Sequence, residues 1–274
     1  MKLMKKNCVS LLVAAAFVIS LASCGGKKAN DATQEKAASE AGISKSVLTE
    51  ELKQETIQLL RDMPASDIPQ RIATGEIELG VGNLSYMLPI SKASELVTAS
   101  QKARALGIYL ADYNVLKILG QPLAEIENAM AKLTSDLDIT FVLNILKETT
   151  SVPKEELKQG LQTQEGAIIN MLAANNKMDV AIAILGGITV ENAYLYANPS
   201  LSVKGDITYI ETLSDNMLKR FGILEEVVSD LSTYYPDLKT LVETMNPLKD
   251  KLASLETARK SNAEIRSIRD VLLK

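Results

Sequence analysis

Apolar side chains recur at steps of three and four along most of this chain, a rhythm that sets one face of a helix against a core. It runs longest near the C-terminal end, where Ile207, Ile210, Leu213, Met217, Phe221, Leu224, Val228, Leu231 and Tyr235 keep it unbroken. Beyond Pro236 the same rhythm resumes through Leu238, Leu241, Met245, Leu248, Leu252 and Leu255. Residues 205–273 therefore read as a long helical hairpin. Its second arm should be interrupted or kinked at Asn246-Pro247, because the residue before proline resists the helical region.

Shorter stripes of the same kind precede it. Leu48, Leu52, Leu59 and Met63 form one, ended by Pro64. Leu96, Ala99, Ala103, Leu106, Leu110 and Tyr113 form a second, with Ser91 or Ser94 as its cap. Leu123, Ile126, Met130, Leu133 and Leu137 form a third, begun by Pro122. A fourth occupies residues 153–178, with Leu157, Leu161, Ile168 and Leu172 facing inward. Glycines 75, 80 and 82 and prolines 64, 69 and 89 make residues 64–90 a run of short turns and loop, with Ile77 to Val81 too short to found a sheet. The expected fold is an all-α, multi-helix bundle.

One segment departs from amphipathic patterning. Residues 180–190, VAIAILGGITV, are apolar on every face and too short a run to span a bilayer, so they read as a helix buried at the centre of the bundle. Paired glycines weaken a helix by about 1 kcal/mol each, a loss usually offset by close helix crossing. Leu106-Gly107 followed by Asp112 is echoed 79 residues on by Leu185-Gly186 followed by Glu191. If these helices cross at their glycines, Asp112 and Glu191 approach each other. Such a pair could share a proton, or hold a hard cation with other oxygen ligands. Tyr109, Tyr113 and Tyr194 flank the two acids, and these five residues form the candidate ligand-binding set.

The N-terminal end carries an address. Lys2, Lys5 and Lys6 precede the apolar run Val9 to Leu21, which closes on Leu21-Ala22-Ser23-Cys24. This resembles a bacterial lipoprotein signal peptide ending in a lipobox, which implies cleavage after residue 23 and lipidation of Cys24. Residues 24–44 hold no large apolar side chain before Ile43 and read as a flexible tether. As a coil it would span about 25 Å, and fully stretched about 65 Å. The expected organisation is a leader, 1–23, a lipidated tether, 24–44, and a single helical domain, 45–274.

Composition narrows the chemistry. The chain has no histidine, which removes the commonest general base and the leading zinc ligand, so neither a zinc enzyme nor a Ser-His-Asp hydrolase fits. Loss of residues 1–23 takes three lysines away, leaving 27 basic against 34 acidic side chains, and nucleic acid is not an expected partner. Cys24 is then the sole cysteine, so no internal disulfide can form. Asp136-Leu137-Asp138 lacks the glycine and distal glutamate of a calcium loop, and no phosphate loop or nucleophile elbow is present. Neither a cofactor nor a metal is expected.

The run Ala103 to Tyr113, with its Leu-Gly-x-Tyr-x-x-Asp pattern, followed by Ile184 to Tyr196 with Gly-Gly-x-x-x-Glu, is similar to uncharacterised all-helical lipoproteins of Bacteroidota. The resemblance covers about residues 90–200 and implies a helical fold on the outer membrane. No functional residue comes with it. Lys27 and Lys28 stand where surface-exported lipoproteins of that phylum tend to carry acids, which implies a periplasm-facing protein.

Together these observations lead to the expectation of a lipid-anchored, non-catalytic envelope protein whose bundle binds a partner protein or a small apolar ligand. An alternative is a scaffold that docks through the hairpin, with Asn262 setting its register. A third reading is a hydrolase using Asp112 and Glu191 as acid and base.

Overall fold

The computed structural model describes residues 48–80, 84–149, 153–204 and 208–274. The leader, Cys24 and the tether to residue 44 lie outside the described residues. So does Ile207 of the last apolar pattern.

The fold is all-α, with one small two-stranded antiparallel sheet. In chain order the elements are α1 (Glu50–Asp62), α2 (Ile68–Ala73), β1 (Ile77–Leu79), α3 (Lys92–Glu95), α4 (Ala99–Ile118), α5 (Ala124–Asp136), α6 (Val142–Thr149), α7 (Leu157–Ala174), α8 (Met178–Tyr196), β2 (Leu201–Val203), α9 (Thr208–Leu231), α10 (Asp237–Met245), α11 (Leu248–Lys251), α12 (Leu255–Lys260) and α13 (Asn262–Leu272). All the described residues belong to one compact unit.

Helix α8 is the axis of the molecule. It packs against α4, α7, α9, α10, α12 and α13, and every residue from Ala181 to Tyr196 is buried. Its length and apolarity would suffice to cross a membrane, but 94% of that stretch is enclosed by the protein's own helices. The all-round apolar pattern of residues 180–190 thus reflects a helix with neighbours on every side. A fully buried Leu or Ile contributes about 2 kcal/mol, which makes α8 and its lining the main source of stability.

Helix α4 is the second buried helix. Residues Ala103 to Tyr113 are buried on all faces, although the sequence pattern suggested one stripe. Its cap also differs from the expected Ser91 or Ser94, because Lys92–Glu95 form a separate turn and the helix begins after Thr98. Thr98 Oγ1 accepts from the Gln101 N–H at 3.1 Å, and Gln101 Oε1 accepts from the Thr98 N–H at 2.9 Å. This reciprocal pair satisfies two N–H groups at the helix start.

Two further expectations change in detail. In α1 the buried line is Thr56, Leu60 and Met63, while Leu52 and Leu59 sit at its margins. The segment Ile77 to Leu79, judged too short for a sheet, does pair antiparallel with Leu201 to Val203. Its partner lies far away in sequence, so local pattern could not reveal it. Ile77, Leu79 and Leu201 point into the core, and outward-facing Glu78 pairs with Lys204.

The C-terminal hairpin exists, but its second arm is cut into four pieces. Pro236 and Pro247 stand at the starts of α10 and α11, and Ser254 caps α12 by accepting from the Thr257 N–H at 3.1 Å. These breaks let the arm wrap around α8 instead of running straight along α9. The apolar seam from Leu213 through Leu252 is consequently buried within this chain.

Candidate functional site

Helices α4 and α8 touch backbone to backbone. A Cβ added to Gly107 would lie 2.0 Å from Ile184 O, and one added to Gly187 would lie 2.1 Å from Arg104 O. Each glycine meets the carbonyl three residues before the other glycine, a reciprocal contact of the Cα–H to oxygen kind. The structural equivalence is thus Gly107 with Gly187, one residue out of register from the sequence echo. Gly186 faces the Leu241 side chain of α10 instead.

Asp112 lies five residues past Gly107 and Glu191 four past Gly187, so helices running in the same sense bring both acids to one level. Each is 0% exposed. The Leu88 N–H donates to Asp112 Oδ2 at 2.9 Å. Arg269, from α13, donates through Nη1 to Glu191 Oε1 at 3.1 Å and Oε2 at 3.2 Å, and to Tyr86 O at 2.8 Å. Its guanidinium stacks 4.1 Å from the centre of the Tyr194 ring.

Asp112 Oδ1 is buried with no hydrogen-bond donor within reach, and the Glu191 carboxyl is near enough to act on it. Two carboxylates buried side by side repel, and a proton held by one of them removes that repulsion and supplies the donor Oδ1 lacks. Burial pushes Asp112 well above the ordinary carboxylate range, and the Glu191 charge adds to this. The Leu88 N–H and Arg269 oppose it with less effect. Burial raises Glu191 as well, against the pull of Arg269. Burial alone would lower Arg269, but the two acids outweigh it and hold the guanidinium charged. The consistent state is neutral Asp112 donating to ionised Glu191, which is neutralised by Arg269. The buried cluster then carries no net charge.

The tyrosines surround this cluster without entering it. Tyr109 Oη donates to Pro89 O at 2.8 Å, and Tyr113 is buried one turn further along α4. Burial pushes the Tyr86 hydroxyl up to about 12, and burial raises Tyr109 and Tyr194 too. Residues 84–90 form a strap held by three buried side chains: Arg269 at Tyr86 O, Asp112 at Leu88 N and Tyr109 at Pro89 O.

Sequence reasoning brought together Asp112, Glu191 and their tyrosines but missed Arg269 and the strap. A signal for Arg269 was present, since it sits between Ile265 and Leu272 on the buried stripe of α13. A cation in an apolar line marks a buried anion nearby. Arg220 repeats this logic on α9, donating to Glu165 at 2.8 Å, to Pro64 O at 2.6 Å and to Thr189 at 3.3 Å.

Behind the strap lies a half-open groove of about 440 Å³. Met87, Leu88, Ile90, Leu116 and Ile126 give it apolar walls, with Glu125 at its margin and Asp112 at its floor. Among the described residues no group of three or more His, Cys, Asp and Glu side chains could hold a metal. No protein-family model matches this chain, and neither a curated protein nor a solved structure matches it.

Proposed function

We propose that this protein is a lipid-anchored helical binding module of the bacterial envelope, non-catalytic, which holds a small apolar ligand in the groove behind the strap. The observation that carries the reading is the groove itself. Its volume of about 440 Å³ falls in the range of small-molecule sites, and its walls are apolar with acids only at floor and margin. The lipobox-like Leu21-Ala22-Ser23-Cys24 supports the anchor, and Lys27-Lys28 supports a periplasm-facing position on the outer membrane.

Two other readings lose their support. Acid-base hydrolysis needs carboxyls that a substrate reaches, whereas Asp112 and Glu191 are sealed and already neutralised. A docking hairpin needs an apolar seam on offer, whereas this seam is covered by the chain's own helices, and Asn262 donates to Ala197 O at 3.2 Å.

Native mass spectrometry tests the reading. Protein recovered from its own envelope through a C-terminal tag should carry a discrete extra mass, which Ile126→Glu in the groove wall should remove. A bare monomer from the native source would end the small-ligand reading.

A further inference from the structure

The strap and the carboxyl pair form a single mechanical unit. Three walls around Asp112 and Glu191 are helices, α4, α8 and α13, whose backbone groups are committed to their own hydrogen bonds. The fourth wall is the strap, which is irregular over Leu84–Ile90 and tied to the core by three side-chain bonds to its backbone and by buried Tyr86, Met87 and Leu88. The strap also borders the groove that Asp112 lines, so moving it brings water to a second charge at this site.

We propose that Asp112 and Glu191 together bind one proton, and that its loss to solvent releases strap 84–90 and opens the groove behind it. With the proton in place, one cation faces one anion and the cluster is neutral. Without it, two buried carboxylates share Arg269 at close range, an arrangement whose desolvation far exceeds its Coulombic gain. One carboxylate must hydrate, and the strap is a short irregular wall that can move without parting the backbone-to-backbone packing of α4 on α8. Facing the site are Glu191 from α8, Arg269 from α13, Tyr86 from the strap, Tyr109 on α4 and Glu125 of α5 across the groove. Asp270 and Arg266 act on its rim from α13. Arg269 is the cation both acids share, so no other neighbour named here compensates for the lost proton. This gate rests on the clasp geometry and holds whatever fills the groove.

Hydrogen exchange of the detergent-solubilised full chain, corrected for intrinsic rates, reads the gate directly. Protection of the Leu88 amide should fall by about tenfold per pH unit from the ordinary carboxylate range, where the opened acid titrates, up to the raised titration of the closed pair, the slope for one proton. Amides within α7 should keep their protection over the same range. Asp112→Asn, whose carboxamide donates to Glu191 and accepts from Leu88 without a titrating proton, should hold the strap closed throughout. A Leu88 slope of zero in the wild-type chain would overturn the proposal without any variant. So would parallel loss of strap and α7 protection, which is general unfolding, or the same slope in Asp112→Asn.

Discussion

Burial and the Glu191 charge favour the neutral form of Asp112 in the fold, whereas it ionises in the unfolded chain at neutral pH, so folding is favoured by proton uptake. For an acid with a raised folded pKa, the stability it contributes is complete below the unfolded value. It declines as pH rises from about 4 towards the folded value, by about 1.4 kcal/mol per pH unit. Asp112→Asn should lack this slope, matching wild type near pH 5 within about 1 kcal/mol and exceeding it above neutrality. Urea melts across that range check it, and parallel curves would place the proton elsewhere. Arg269 makes the complementary case. Arg269→Met leaves Glu191 buried without a counter-charge and should destabilise by about 3–5 kcal/mol, much of which Glu191→Leu in the same chain should restore. At this scale the acids were legible because an approximate glycine echo pointed at them. Arg269 was not, since its partner lies 78 residues away and nothing local ties them.

Among elements, the α4–α8 crossing is the least tolerant contact. Gly107→Ala or Gly187→Ala drives a methyl into a helix carbonyl that cannot retreat, and each should cost about 3 kcal/mol or more. Gly186→Ala meets only the tips of Leu241, which can rotate away, so its loss should be clearly smaller in the same denaturation assay. Equal losses at Gly186 and Gly187 would contradict the packing described. Periodicity located the long helices because a 3.6-residue rhythm is a local property. It failed where the deciding partner was remote. The β1–β2 pair joins residues 77–79 to 201–203, and the all-round burial of α4 depends on how α2, α5 and α8 are arranged around it. The cap at Thr98 was missed for another reason, since Ser91 and Ser94 had equal chemical claim until the Leu96-Val97 backbone was seen to be extended before it.

At the scale of the whole molecule, the long apolar stripes of the described residues are spent inside the chain, and the groove behind the strap offers a ligand apolar walls. The proposed anchor makes a separate expectation. Cys24→Ser should move the protein from the membrane fraction to the soluble fraction while leaving its thermal unfolding unchanged, because residue 24 lies outside the compact unit that begins at Ser44. Protein that remains with the membrane after this change would show that the lipid is not what holds it there.

The tie between Arg269 and Glu191 also sets an order of events. The ribosome makes Glu191 long before the cation that neutralises it, so an emerging chain holds a core helix that cannot close in water-free surroundings. Until Arg269 arrives, burying α8 around Glu191 carries the cost of an uncompensated charge. A copy that stops short of residue 269 never gains that counter-charge, and its loosened core is open to proteases.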